Sequence, residues 1–194
     1  MNDAVRVRLI ADRDWTAITA LEARAYSRLG LTEGQAALRA WRDTSPDTCF
    51  ALYAGRQLGG YVLALPYPHG AYPDLRRARS AAGRTAVPTR NLHLHDLVIA
   101  PELRRRGLAR HLLRHLCAAA RSRAYDRVSL VSVGGTEAFW SARGFTPHPG
   151  VVAPGGEYGA NAVYMSLSLK TSAVEVSGVG VSGAEVSGAR VPCL

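Results

Sequence analysis

The sequence predicts a single α/β domain that is followed by a short tail of different character. Short β-type segments alternate with amphipathic helical segments over residues 1–170. Beyond this part, a Val-Ser-Gly unit recurs every five residues in a run rich in glycine and serine. A chain of 194 residues can build one full hydrophobic core, whereas such a repeat cannot bury enough apolar surface to fold. We therefore predict a domain over residues 1–170 and a disordered tail over residues 171–194.

The first strand and the first helix follow from periodicity and a helix-start signal. Val5–Ile10 alternates in character, as a strand does. Asp12 is a suitable N-cap for a helix whose apolar stripe is formed by Trp15, Ile18 and Leu21.

A second helix and a hairpin come next. Thr32 and Gln35 have the spacing of a capping box, so we predict a helix that runs through Trp41 and ends at Pro46-Asp47. Two apolar segments then flank a turn at Gly55-Arg56, and we interpret them as an antiparallel hairpin. Its strands are Cys49–Tyr53 and Gly60–Leu65.

Pro66 to Arg90 forms a long connection rich in proline and arginine, which leads into the next strand. Connections of this length usually carry function or vary freely at the surface. The sequence leaves both interpretations open: a wall of a substrate pocket, or a surface insertion.

The centre of the chain combines a strand, a basic glycine turn and a helix. Leu92–Ile99 is short, mostly apolar and bounded by Pro101, so it predicts a central strand. The turn at Arg104–Gly107 leads into a helix with an apolar stripe that begins at Leu108. The free N–H groups and the dipole at such a helix start favour an anion, and Gly107 allows a phosphate to approach the backbone.

The last third of the domain contains three more predicted strands and a short helix. Val128–Val133 is a buried strand that Gly134-Gly135 interrupts, and the short helix begins at Glu137 and stops at Gly144-Phe145. The last two strands, Thr146–Val152 and Ala160–Leu169, are predicted to pair in antiparallel fashion.

The spacing Arg104-x-x-Gly107-x-Ala109 after this strand resembles the acyl-CoA signature of the GNAT N-acetyltransferases. Residues 138–145 read Ala-Phe-Trp-x-x-x-Gly-Phe and are similar to the GNAT segment that lies along the pantetheine arm. The resemblance covers the whole domain in layout and implies the GNAT fold, a mixed, strongly bent β-sheet flanked by helices on both faces. It also implies acetyl-CoA as co-substrate, without a metal. The residues implied to bind the donor are Leu97, Val98, Ile99, Arg104, Arg105, Arg106, Gly107, Leu108, Ala109, Arg110, Phe139 and Trp140.

His93-Leu94-His95 resembles the His-Leu-His of the arylalkylamine N-acetyltransferase branch, at the same distance before the glycine turn. In those enzymes both histidines lie in the amine pocket, and histone acetyltransferases place a catalytic glutamate at the position of His95. The resemblance thus implies that His95, helped by His93, removes a proton from the acceptor amine. Alternation along a strand places both histidines on one face and Asp96 on the other.

Two other interpretations of the histidine pair stay open. The rings could be core residues with their hydrogen bonds satisfied, or they could bind a metal, although no third candidate ligand lies at a sequence spacing typical of a metal site. A neutral imidazole near pKa 6.5 is nevertheless well suited to accept a proton from an amine at working pH.

The sequence also suggests roles for several other residues near the predicted site. Glu22 and Tyr26 lie four apart on the first helix and either hold the acceptor amine or form ordinary helix surface. Asp96 is expected to cap or to pair with an arginine. Related enzymes often place a tyrosine where this chain has Trp140, and indole cannot donate a proton to the CoA thiolate, so Trp140 is expected to pack against the pantetheine. Water, Tyr158 or Tyr164 would then protonate the thiolate.

Charge, cysteine content and the length of apolar runs limit the classes of protein to which this chain can belong. The formal charge is +9, but the basic residues are spread along the chain without a nucleic-acid motif, so we expect a solvated basic surface that also suits an anionic cofactor. Three scattered cysteines indicate reduced thiols and a cytoplasmic protein. No apolar run approaches the roughly 20 residues of a membrane span, and no signal peptide is evident.

The function predicted is N-acetyl transfer from acetyl-CoA to a primary amine of a small molecule by direct attack in a ternary complex. A homodimer is left open. Two alternatives stay open as well: acetylation of a protein lysine or N-terminus, and a non-catalytic acyl-CoA-binding module.

Overall fold

Seven strands form one mixed sheet in the order β1-β2-β3-β4-β5-β7-β6. The structure is a computed structural model that describes residues 4–75 and 88–170. The strands are β1 (Val5–Leu9), β2 (Phe50–Ala54), β3 (Gln57–Pro66), β4 (Asn91–Ile99), β5 (Arg127–Ser132), β6 (Thr146–His148) and β7 (Val163–Ser168). The helices are α1 (Trp15–Tyr26), α2 (Gln35–Thr44), α3 (Leu108–Ser122) and α4 (Glu137–Ser141). The predictions for residues 76–87 of the long connection and for the tail from residue 171 fall outside the described residues.

Helices cover both faces of the sheet, as the sequence predicts for the GNAT fold. On one face α3 buries Leu112 and Leu116 against Leu92, Val128 and neighbouring apolar residues. On the other face α1 and α2 bury their own apolar stripes against β2 and β3. The amphipathic spacing in the sequence therefore corresponds to two separate cores, one on each side of the sheet.

The helix starts differ from their predicted caps. Asp12 begins a turn of 3₁₀-helix, and α1 starts at Trp15, after Asp14. The Asp14 carboxylate accepts the Ala11 N–H and pairs with Arg8, so the predicted capping role of Asp12 is wrong. The capping box at Thr32 is also wrong, because Gly34 is the N-cap of α2 in a left-handed conformation.

The last hairpin is shorter than predicted. Pro149 and Gly150 form a turn directly after His148, and β7 begins at Val163 rather than Ala160. Proline lacks the N–H that would continue the ladder, which explains the early end of β6.

β4 and β5 form the parallel pair of the sheet, and their pairing is short. Asn91–His93 pairs with Arg127–Ser129, and beyond this point the two strands separate. Residues 94–99 of β4 continue to pair with β3 on their other side. The sheet therefore opens between β4 and β5, immediately before the turn that leads into α3.

Gly60 allows β3 to approach β4 closely at this opening. It lies opposite Ile99, and a Cβ at Gly60 would come within 2.5 Å of the carbonyl oxygen of Val98 and 2.6 Å of the Ile99 Cδ1 atom. We expect Gly60→Ala to reduce the free energy of unfolding by about 1–3 kcal/mol, because a backbone atom must move to admit the methyl group. Urea unfolding measures this loss.

Gly59→Ala is the matched control. Its Cβ would meet the ends of the Leu103 and Leu52 side chains at 3.0 and 3.2 Å, and these can shift more easily than a carbonyl. Equal losses in the two variants would contradict the close-approach argument.

Candidate active site

A cleft of about 700 Å³ lies where β4 and β5 separate. Its walls come from β4, from the turn before α3 and from α4. Ten of the twelve residues predicted to bind the donor line it: Leu97, Val98, Ile99, Arg104, Arg105, Gly107, Leu108, Ala109, Phe139 and Trp140. Arg106 and Arg110 do not line this cleft. The local strand-turn-helix pattern thus brings most of the predicted residues to one place.

The start of α3 faces this cleft with its backbone donors uncapped. Gly107 is the N-cap, with a φ of +74° that L side chains rarely adopt, and no side chain caps the helix. Arg104 and Arg105 line the same end of the cleft, and the Arg104 Nε donates to the carbonyl of Ile99 at 3.3 Å. Unpaired N–H groups, the helix dipole and two guanidinium groups together favour an anionic group at this end.

The opposite wall of the cleft is aromatic. Trp140 is buried between Phe139 and Phe145, with ring centroids 5.0 and 5.3 Å away in edge-to-face geometry. The Arg143 guanidinium lies over the Phe139 ring and also lines the cleft. This wall offers apolar surface along the cleft and a cation at its edge.

A second, smaller cavity of about 50 Å³ adjoins the cleft. The two share four lining residues: Tyr26, His95, Val131 and Val133. The small cavity is also lined by Glu22, Glu33, Asp96 and Tyr158. These four shared residues therefore form a wall between the cleft, which is basic and apolar, and the small cavity, which is acidic.

A bulge in β4 places the polar residues of the small cavity. Leu63 of β3 is opposite Asp96, and the next residue, Ala64, is opposite Leu94, so His95 is an additional residue in β4. As a result His95 and Asp96 both point to the α1/α2 face, whereas strict alternation predicted opposite faces. The prediction failed because a one-residue insertion reverses the parity of every later side chain.

His95 is oriented by Glu33. Its Nε2 lies 2.6 Å from the Glu33 Oε1, and both side chains are almost fully buried. The other Glu33 oxygen accepts the indole N–H of Trp41 at 2.8 Å, and the Trp41 ring packs against His95 with centroids 4.4 Å apart. Nε2 therefore carries the proton that Glu33 accepts in the neutral imidazole, and Nδ1 retains its lone pair. Within residues 4–75 and 88–170, the buried Nδ1 has no hydrogen-bond partner.

Asp96 is a second buried carboxylate of this site. It accepts hydrogen bonds from the hydroxyl groups of Tyr26 and Tyr61, and the expected pairing with an arginine is wrong. Burial raises the pKa of Asp96 to about 6, while the two hydroxyl groups and His95 act in the opposite direction. At pH 7 this carboxylate is therefore mostly charged.

Glu22 is the third. It is 1% exposed, so the alternative that it belongs to ordinary helix surface is wrong. One carboxylate oxygen accepts the Glu33 N–H at 2.7 Å, and the other is buried with no hydrogen-bond partner in the part of the chain that the structure describes. Burial raises the pKa of Glu22, and the charges of Asp96 and Glu33 raise it further.

His93 lies away from both cavities. It is 1% exposed, its Nδ1 lies 3.1 Å from the Ser129 hydroxyl, and its ring packs near Tyr67. Burial, with the charge of His95, lowers the pKa of His93 to about 3, so this imidazole is neutral. Its surroundings are those of a core histidine, the first of the open alternatives.

The tyrosines considered as proton donors lie apart from the cleft. The Tyr158 hydroxyl donates to the carbonyl of Pro73 at 2.8 Å, and the Tyr164 hydroxyl accepts the Gly70 N–H at 3.0 Å. Tyr158 lines the small cavity, together with Leu75. These contacts place the start of the long connection beside the acidic cavity, consistent with its interpretation as a pocket wall.

Sequence reasoning missed Glu33 and Tyr61, and it misplaced Asp96. Glu33 lies between the two residues of the predicted capping box, and no local pattern distinguishes it. Among residues 4–75 and 88–170, no group of three or more His, Cys, Asp or Glu side chains is arranged to hold a metal ion. Within the same ranges, no helix has both the length and the apolar character that a membrane span needs.

Comparison with known proteins agrees with this architecture. The sequence profile of the acetyltransferase (GNAT) family matches residues 15–145, more than half of the chain. No curated relative matches significantly.

Solved structures share the fold at low sequence identity. The loading GNATL domain of CurA from Lyngbya majuscula superposes with a TM-score of 0.68 at 16% identity, covering 86% of this chain and 98% of that domain. The GNAT-like decarboxylase GphF in complex with isobutyryl-CoA gives 0.66 at 21%, covering 85% and 100%. The putative acetyltransferase yncA from Salmonella typhimurium, with its cofactor acetyl-CoA, gives 0.63 at 17%, covering 90% and 99%.

The buried state of His93 has a measurable consequence for stability. Between its native pKa of about 3 and the ordinary value of 6.5, the unfolded chain binds a proton that the native state does not, so stability falls as the pH falls through this range. We expect His93→Gln to reduce the slope of this decline by up to about 1.4 kcal/mol per pH unit. Urea unfolding at several pH values between 4 and 7 measures the slope.

Ser129→Ala is the control, since it removes the hydrogen-bond partner and leaves the imidazole. It should lower stability at every pH and keep the steep acid limb. An unchanged slope in His93→Gln would show that this histidine ionises normally in the native protein.

Proposed function

Because the chain belongs to the GNAT acetyltransferase family, we propose that it transfers acetyl from acetyl-CoA to a primary amine of a small molecule. One observation carries this proposal: His95, whose buried Nδ1 has no hydrogen-bond partner among the described residues, lies in the wall between a basic cleft and an acidic cavity. The cleft suits the donor and the cavity suits a cationic amine.

The donor fits the cleft by charge and by polarity. The uncapped start of α3, with Arg104 and Arg105, would bind the pyrophosphate. The apolar wall formed by Phe139 and Trp140 would lie along the pantetheine arm. The bound donor supplies a thioester whose carbonyl carbon is the electrophile. The edge of β4 that faces away from β3 beyond His93 has no β5 partner, which leaves backbone groups near Leu97–Ile99 available for the developing oxyanion.

His95 would act as the general base. Glu33 holds the Nε2 proton, so Nδ1 is the atom that accepts a proton from the ammonium, directly or through one water. The free amine then attacks the thioester carbon, a C–N bond forms, and the C–S bond breaks. The imidazolium of His95 gives this proton to the departing thiolate, and the second proton that the nitrogen loses on forming the amide passes to solvent, so the products are the neutral amide, the free thiol and one released proton. Glu33 stabilises the intervening imidazolium.

The residues around the cleft favour His95 over a tyrosine as the group that protonates the departing thiolate. Trp140 packs within an aromatic cluster and has no acidic proton to donate. Tyr26 lines the shared wall, but burial and the neighbouring Asp96 charge raise its pKa well above the ordinary value, which makes it a poor acid. The imidazolium of His95 is the better proton source for the thiolate.

The resemblance to the arylalkylamine branch stays a prediction. His95 lines both cavities, whereas His93 lines neither of them, so we assign His93 no part in the transfer. The small volume and the acidic lining of this cavity favour a small amine over a protein acceptor.

Gly107→Glu tests the donor site. A carboxylate at the N-terminus of α3 would repel the pyrophosphate, and we expect binding of acetyl-CoA to become undetectable by calorimetry. Gly107→Asn is the matched control, because asparagine tolerates the left-handed conformation at this position and adds no charge. Equal affinity in the two variants would contradict the assignment of the phosphate site.

His95→Gln tests the base. We expect turnover to fall by about 10²- to 10⁴-fold with little change in affinity for acetyl-CoA. Steady-state kinetics over small amines, with calorimetry for the donor, measures both quantities. Full turnover in this variant would remove the imidazole from the mechanism.

Glu33→Gln supplies a finer measurement in the same assay. Glutamine keeps an oxygen that can accept the Nε2 proton but loses the charge that stabilises the imidazolium. We expect a lower kcat and a KM close to the original. An unchanged kcat would mean that Glu33 only fills space.

A further inference from the structure

The small cavity is lined by more carboxylate groups than the removal of one proton from the acceptor amine requires. Glu22, Glu33 and Asp96 all line it, in a chain whose formal charge is +9. In the part of the chain that the structure describes, no lysine or arginine pairs with Glu22 or Asp96 within 4.0 Å. Buried carboxylates without a counter-cation are costly, and a protein retains them where a ligand supplies the missing charge.

Glu22 gives the most direct indication of a ligand. Its side chain is 1% exposed, and one carboxylate oxygen has no hydrogen-bond partner among the residues that the structure describes. The other oxygen is held by the Glu33 N–H at 2.7 Å, which fixes the carboxylate in the cavity wall. A buried acceptor that lacks a donor costs free energy, and an ammonium group would provide three.

We infer that this cavity is a subsite for a second positive charge on the acceptor. The acceptor is then a small aliphatic diamine, which binds with one ammonium at Glu22 and Asp96 and presents its other nitrogen at His95. This inference rests on the proposed function, because it assigns the acceptor end of the same site.

Size and surroundings support a compact, flexible dication. A volume of about 50 Å³ admits an ammonium group with a few methylenes and excludes an aromatic ring system. Leu31 and Leu75 provide apolar walls for the methylenes, and Tyr158 lines the same cavity. Because Tyr26 and His95 line both the cavity and the cleft, one short chain can span from Glu22 to the thioester.

The test compares each diamine with the monoamine of the same chain length. The probes are propane-1,3-diamine, butane-1,4-diamine and pentane-1,5-diamine, against propylamine, butylamine and pentylamine, with acetyl-CoA as donor. We expect at least one diamine to exceed its monoamine in kcat/KM by about tenfold or more, as one charged hydrogen bond contributes. Glu22→Gln should abolish this preference, so that each diamine and its monoamine agree in kcat/KM within about twofold.

Glu102→Gln is the matched control. It removes the same charge at an exposed carboxylate that pairs with Arg24, so it should keep the preference for the diamine. Glu22→Asp keeps the charge and shortens the side chain by one methylene, so it should move the preference toward a longer diamine. Thermal unfolding checks each variant, and Glu22→Asp carries the test if Glu22→Gln does not fold.

Calorimetry separates this inference from the proposed function. Butane-1,4-diamine is titrated into the protein saturated with coenzyme A, which requires no turnover. Binding that depends on Glu22, without acetylation of any amine, would support the subsite and contradict the proposed transfer. Acetylation of monoamines as good as that of diamines, insensitive to Glu22→Gln, would overturn the subsite and leave the transfer intact. Absence of diamine binding to the wild type would also overturn it.

Discussion

The extra residue that β4 inserts at His95 is the constraint on which the site depends. Because Leu63 and Ala64 face Asp96 and Leu94, the strand turns two successive polar side chains toward the α1/α2 side. Without this insertion His95 and Asp96 would point to opposite faces, and the imidazole and the carboxylate could not line one cavity. The separation of β4 from β5 begins beside the same point, so the bulge and the opening of the cleft lie next to each other along β4.

The two ends of the site differ in charge, and their order follows from the fold. The basic end is formed by one continuous piece of chain, in which a helix start and two arginines follow β4 directly. The acidic end is assembled from Glu22 on α1, Glu33 before α2 and Asp96 on β4. His95 lies between these ends, so an anionic donor and a cationic acceptor would meet at the imidazole. The net positive charge of the whole chain therefore says little about the acceptor, since the local arrangement decides the potential there.

This difference also explains how far the sequence could predict the structure. The fold, and the presence in one cleft of ten of the twelve residues predicted to bind the donor, correspond to contiguous signals: alternating strands, amphipathic helices and the Arg104-x-x-Gly107-x-Ala109 turn. The acceptor side could not be predicted in the same way. A bulge leaves no trace in a period-two pattern, so Asp96 was placed on the wrong face. Glu33 contacts His95 across 62 positions of sequence, and nothing around it indicates this partner. Local sequence patterns thus predict local structure and chemistry, whereas they do not predict contacts between distant segments.

The placement of the indole rings has a practical consequence. The chain has three tryptophans, and each occupies a different environment: Trp140 in the wall of the large cleft, Trp41 against the His95 ring, and Trp15 in the core beneath α1. A fluorophore thus lies beside each of the two compartments, with a third farther away as an internal reference. Emission spectra of single-tryptophan variants would report occupancy of the two compartments separately, so the order in which the substrates bind could be followed by optical titration without any label.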